Sequence, residues 1–159
     1  MRNEKGVTLV EVVSCMVILS ALAGMASPMI GTMKAKLALH SEVSKLVGEL
    51  HKAKLFAIKS NTKVVFKYNE NGYMTFIDDG NNGGSKEDYI HQSGEQLLSD
   101  VTLGDRIKIA VPESTFTSDR TRFSGKPGIS AGAVVLQGSD GNKSKVIVNS
   151  IGRVRVVKL

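Results

Sequence analysis

The sequence predicts an α+β chain, with a long N-terminal helix packed on a C-terminal antiparallel β domain. Three observations carry that prediction. Residues 7–30 form an apolar run of 24 residues whose only charge is Glu11. Beyond it, Leu39, Val43, Leu46, Leu50, Ala53 and Ala57 recur at intervals of 4, 3, 4, 3 and 4. From residue 61 onward, short runs rich in Val and Ile alternate with Gly, Asn and Asp turn signals.

A helix needs about 20 apolar residues to cross a hydrocarbon core, so residues 7–30 are expected to span a membrane. A carboxylate at membrane depth is unfavourable by roughly 2.5–3.5 kcal/mol on insertion scales, so Glu11 needs a partner. Its own span offers none. Pro28 removes a backbone donor and loosens a helix where it stands. The rival is a secretory signal, with Arg2 and Lys5 as its basic start and Ala-Leu-Ala at 21–23 as its cleavage site. Glu11 inside the apolar region, and apolar residues continuing through Met25, Met29 and Ile30, argue against cleavage there.

The stripe from Leu39 to Ala57 is the period of an amphipathic helix, with Lys45, Glu49, Lys52 and Lys59 between the apolar positions. Residues 31–60 are therefore expected to continue the first helix and lay their apolar side on a sheet. Asn61 ends the helical spacing. "TKVVFKY" and "YMTFID", joined through "NENG", read as a hairpin. "DRIKIAV", "GAVVLQG", "SKVIVNS" and "RVRVVKL" follow as strands, the last three as an antiparallel meander, so residues 61–159 form the β domain.

The chain has 159 residues, a net charge of +6 and one cysteine, Cys15, which lies in the apolar run. No intrachain disulfide is possible. The three histidines, His40, His51 and His91, show no nucleophile-base or metal-ligand spacing, which leaves an anchored enzyme without chemistry to perform. Residues 69–105 hold eight acids against one base, Lys86, and include "DDGNNGGSKED". Calcium loops interleave acids with Gly and Asn in this way. Here, though, Gly80 and Tyr89 occupy the third and twelfth positions of the helix-loop-helix calcium signature. The loop from Asp78 to Asp88 reads as a solvated turn, and no metal or cofactor is assigned.

Residues 120–159 reverse the balance, with eight bases (Arg120, Arg122, Lys126, Lys143, Lys145, Arg153, Arg155 and Lys158) against Asp140. Side chains alternate along a strand, so Arg153 and Arg155 share one face while Val154 and Val156 pack on the other. If the preceding strand pairs with this one, Lys145 or Lys143 extends the basic stripe, with Arg120, Arg122 and Lys126 bordering it. Such a stripe suits phosphates. The last 36 residues lack an aromatic, so stacking on single-stranded bases is disfavoured. The same charges also suit a solvated strand edge protected from aggregation, and both readings stay open.

The opening Lys5-Gly6-Val7-Thr8-Leu9-Val10-Glu11 resembles the leader of type IV prepilins and type II secretion pseudopilins. The resemblance implies that residues 1–6 are a leader, removed after Gly6 by a prepilin peptidase that methylates the new amine on Val7. Phe is the usual residue at that position, and Val7 departs from it. The resemblance also implies that the amine and Glu11 of adjacent subunits neutralise each other during assembly, supplying the missing partner. Pro28 matches the proline at which the pilin helix loosens. The acidic-glycine loop and the C-terminal "RFSGKPG … GAVVLQGSDGNKSKVIVNSIGRVRV" are similar to the GspH/FimT group of minor subunits, which prime or cap filaments. Some pilus members bind DNA for transformation through a Gly-Arg-x-Arg tail, matched here by Gly152, Arg153, Val154 and Arg155. The implied partners are other filament subunits, the peptidase, the inner-membrane assembly platform and double-stranded DNA. The implied location is the bacterial inner membrane, with the β domain outside the cytoplasm. Whether the machine is a pilus or a secretion apparatus stays open, since both use this leader.

Overall fold

The computed structural model describes residues 7–80, 88–92, 94–124 and 129–159, without the side chains of 25–30 and 32. The expected leader 1–6, with Arg2, Lys5 and Gly6, lies outside these residues, as do Lys126 and positions 81–87 of the acidic-glycine loop. Two compact units are present, 1–34 and 35–159. Helix α1, Leu9–Ser60, supplies residues to both and includes Pro28.

In the first unit, Thr8 opens the helix. Its Oγ1 accepts the Glu11 N–H at 3.3 Å, satisfying one of the donors that a helix start leaves without a partner. The Ser14 and Ser20 hydroxyls donate back to the carbonyls of Val10 and Met16, each at 2.8 Å, so the helix can carry serine among apolar neighbours. Leu9, Met16, Val17, Ile18 and Leu19 are all exposed. Among the described residues no helix is long and apolar enough to cross a membrane. The apolar run of the sequence goes on through 25–30, whose side chains are outside the description.

In the second unit, the stripe expected on the helix is the stripe that is buried. Ala35, Leu39, Val43, Leu46, Leu50, Ala53 and Ala57 all face the core. Fully burying Leu46 and Leu50 is worth about 1.5–3 kcal/mol each before ordering costs. The outward side carries Glu42–Lys45 and Glu49–Lys52 ion pairs, both at 2.7 Å. Asn61, at φ 48°, ends the helix in the left-handed conformation that Asn tolerates.

Among the described residues eight strands follow, and they form two four-stranded antiparallel sheets. β1 (Val64–Asn69) and β2 (Gly72–Ile77) are the expected hairpin, closing at Asn69↔Gly72. β3 (Leu97–Thr102) and β5 (Arg120–Phe123) flank them in the order β3-β2-β1-β5. The second sheet runs β4-β6-β7-β8, from β4 (Ile107–Ile109), β6 (Gly132–Gly138), β7 (Lys143–Val148) and β8 (Val154–Lys158). Its last three strands are the expected meander. Leu46 and Leu50 of the helix share one core with Phe66 of the first sheet and Val134, Leu136 and Val146 of the second. Phe116 lies where a Cβ on Gly132 would stand, 2.4 Å from its ring, so a glycine is required at the start of β6.

Two strands were not expected from the sequence. β3 is "LLSDVT", which has no regular alternation, and β5 is four residues long with an arginine at every second place. "DRIKIAV" contributes only its centre, Ile107–Ile109. A further correction concerns the last strand. Val154 is half-buried, but Val156 is 42% exposed rather than packed. Among the described residues β8 has a single neighbouring strand, β7, and its inner side is incompletely covered.

Candidate functional site

The basic tail is built on a turn. The Asn149 carbonyl accepts the Gly152 N–H at 2.8 Å, and the Asn149 side-chain oxygen accepts the N–H groups of Ile151 at 3.1 Å and Arg153 at 2.8 Å. This is how Asn closes turns, by bonding backbone two or more residues ahead. Gly152 is buried at φ +74°, and a Cβ there would stand 2.6 Å from the Ile129 side chain. The glycine of Gly-Arg-x-Arg thus has a structural cause, independent of any ligand.

The strand register then decides which charges share a face. Val148, Val146 and Ser144 of β7 are buried and stand opposite Val154, Val156 and Lys158 of β8. The other face carries Lys143, Lys145 and Ile147, with Ile147 opposite Arg155 and Lys145 opposite Val157. Arg153, exposed at the turn, continues that outer face two positions before Arg155. Diagonal neighbours across an antiparallel pair lie about 7–8 Å apart, so Arg155 and Lys145 are within reach of adjacent phosphates. Lys143 shares the face but is paired with Glu113. Lys158 occupies the opposite face of β8, and alternation separates it from the arginines.

Arg120 and Arg122 are placed elsewhere. They stand on β5 in the first sheet, opposite Lys67 and Val65, with their guanidinium groups 4.4 and 5.7 Å from the Tyr89 ring centre. Cation–π contacts of this kind hold a loop to a sheet. Tyr89 donates its N–H to the buried Asp78 carboxylate at 3.2 Å, and buried Glu95 accepts the N–H groups of Gln92 at 3.0 Å and Gly80 at 3.4 Å. These acids organise backbone. Among the described residues, no cluster of His, Cys, Asp or Glu could hold a metal ion.

At the other end of the chain, Val7, Glu11 and Cys15 follow one another at helical spacing and line one shallow groove with Val12, Met16 and Leu19. Glu11 occupies the first turn, where the positive end of the helix dipole favours a carboxylate. Gly6 is outside the described residues, and Pro28 is placed in the helix without its side chain.

Sequence reasoning missed Asn149, Tyr89, Glu113 and Lys54. Asn149 had a local signal, the Asn-x-x-Gly spacing of "NSIG". The others had none, since each acts on a partner remote in sequence. Lys54 donates to the carbonyls of Ile151 and Gly152, nearly a hundred residues away.

A helix laid on antiparallel sheets, preceded by a methylation-type N terminus, defines the pseudopilin class of structural subunit. The chain belongs to the family described as type II transport protein GspH, which matches residues 42–152. The prokaryotic N-terminal methylation motif matches residues 1–27. Among solved structures, the chain is similar to the minor pseudopilin EpsH from the Type 2 Secretion System of Vibrio cholerae, with 11% identity and a TM-score of 0.53 over 78% of this chain and 96% of that one. At that identity the likeness carries the fold alone. No curated protein matches the chain. The family and fold are those of structural pseudopilins rather than enzymes, and the family implies association with other pilin subunits.

Proposed function

We propose that this chain is a minor subunit of a type IV filament machine that binds duplex DNA through the outer face of its β7–β8 hairpin. The single observation that supports DNA binding is the register that sets Arg153, Arg155 and Lys145 on one outward face of an edge hairpin. Such a face meets phosphates without reading bases, so binding is weak, sequence-tolerant and salt-sensitive. In this reading the leader is cut after Gly6, Val7 is methylated, and residues 7–30 anchor the chain in the inner membrane with the β domain outside the cytoplasm. Glu11 then meets the Val7 amine of a neighbouring subunit as the assembly platform adds it to the filament.

A second reading has its own support. The family description names type II transport, and the similar solved structure comes from a secretion system. In that reading the chain sits at a pseudopilus tip, and the arginines only keep the β8 edge from pairing with other chains. Fluorescence anisotropy of the detergent-solubilised full chain with a labelled duplex, at about 50 mM salt, separates the two. DNA binding predicts a saturable rise that Arg153→Gln with Arg155→Gln weakens. No rise with the parent protein leaves the secretion reading standing.

A further inference from the structure

We infer that Lys54 is a positioning residue for the basic hairpin, clamping the β7–β8 turn from the helix so that Arg153 and Arg155 leave it in a fixed direction. This rests on the DNA-binding reading above. The Lys54 ammonium donates to Ile151 O at 3.1 Å and to Gly152 O at 3.2 Å, the two carbonyls immediately before Arg153. Its stem lies against the same turn, with Cδ and Cε both 3.2 Å from where a Gly152 Cβ would stand. Ile129 closes the other side of that glycine at 2.6 Å, so the turn is gripped by packing as well as by hydrogen bonds.

The chemistry suits lysine. A compact ammonium has three donors on a flexible stem, so one group can serve two neighbouring carbonyls and still meet water. Lys54 is half-buried, whereas Arg153 and Arg155 are exposed. Its charge is therefore engaged at the base of the turn and theirs are presented to a ligand. Ala53, one position before, is buried in the core, which fixes the helix backbone from which Lys54 reaches. A direct line thus runs from the core through Lys54 to the start of the arginine face. Preorganisation of this kind strengthens binding by lowering the ordering cost of the groups that bind.

The division of labour gives a distinctive signature. A residue that touches phosphate contributes to the salt slope of DNA binding, and one that only aims other residues does not. Lys54→Met keeps the stem and removes the donors. In the detergent-solubilised full chain it is expected to weaken duplex affinity by about tenfold with no change in salt slope, the size expected for lost charge-assisted hydrogen bonds. Lys54→Arg, which can still donate to both carbonyls, should restore affinity. A readout without DNA accompanies this: amide hydrogen exchange of Gly152 and Arg153 should quicken about tenfold in Lys54→Met, while the amides of Val146 and Phe66 keep the parent's rates. A slope reduced by about 0.9 would place Lys54 on a phosphate itself and overturn the inference. Parental exchange at Gly152 and Arg153 would also overturn it, showing that Asn149 holds the turn unaided. If the parent binds no DNA, the functional reading fails, and the exchange arm still decides whether Lys54 positions the turn.

Discussion

The side-chain oxygen of Asn149 accepts the backbone N–H of Arg153 at 2.8 Å, so the first arginine of the tail is fixed by the turn it leaves. Within the tail itself, the direction of the basic face is therefore set by four residues that carry no charge, Asn149 to Gly152, with Lys54 holding their carbonyls from the helix. Substitutions in this turn should act on stability and on the tail together.

Gly152→Ala is the sharpest of them. A left-handed residue with a Cβ costs about 1–2 kcal/mol, and contact with Ile129 at 2.6 Å adds to it. Urea denaturation should show a loss of at least about 2 kcal/mol. An unchanged midpoint would mean that the turn relaxes freely.

Arg120→Gln with Arg122→Gln should behave in the opposite way to changes in the tail. Both arginines stand on β5 of the other sheet, with their guanidinium groups over the ring of the loop residue Tyr89, so duplex affinity should stay within about twofold of the parent. Stability should fall by roughly 0.5–2 kcal/mol as the cation–π contacts are lost. A large drop in affinity, read by the same anisotropy measurement, would return these residues to the interface.

Tyr73 sets an alkaline limit. Burial pushes its phenol up to about 12, with the carboxylates of Glu42 and Glu49 adding to the effect. In the unfolded chain it ionises near 10. The stability that this neutral phenol contributes is fully present below about pH 10 and is lost as pH rises through about 12, because the unfolded state releases its proton first. Denaturation midpoints should therefore fall between pH 10 and 12, and Tyr73→Phe should flatten that fall. At pH 7 the same variant should be neutral or slightly stabilising, since the Tyr73 hydroxyl is buried without a hydrogen-bond partner.

Glu11→Ala tests assembly. Synthesis and membrane insertion should persist, since removing the carboxylate eases the burial cost, while incorporation into filaments and copurification with partner subunits should fall. Intact mass of the membrane-extracted parent should begin at Val7 with one added methyl group. A start near Gly24, or full incorporation of the variant, would count against the pairing of Glu11 with a neighbour's amine.

What could be read in the sequence followed from repetition. The helical stripe from Leu39 to Ala57 and the meander of β6, β7 and β8 announce themselves because every second or every third to fourth residue is apolar. β3 and β5 carry no such alternation and exist because β2 and β1 offer them an edge. The pairing of Lys145 with the arginine face followed from the hairpin, whereas the removal of Arg120 and Arg122 to Tyr89 depended on a loop and a sheet remote in sequence. Val156 misled for a related reason: alternation tells which way a side chain points, and only the neighbouring strands tell whether anything covers it.

The measurement that bears most directly on the account is the salt dependence of duplex binding by the full chain. Titrations between about 50 and 200 mM salt should give a linear log-log plot, and Arg153→Gln with Arg155→Gln should flatten it by about 1.8, the loss of two phosphate contacts. An unchanged slope in the double variant, or no binding by the parent at the lowest salt, would contradict the claim that the outer face of β7 and β8 is a phosphate-binding surface.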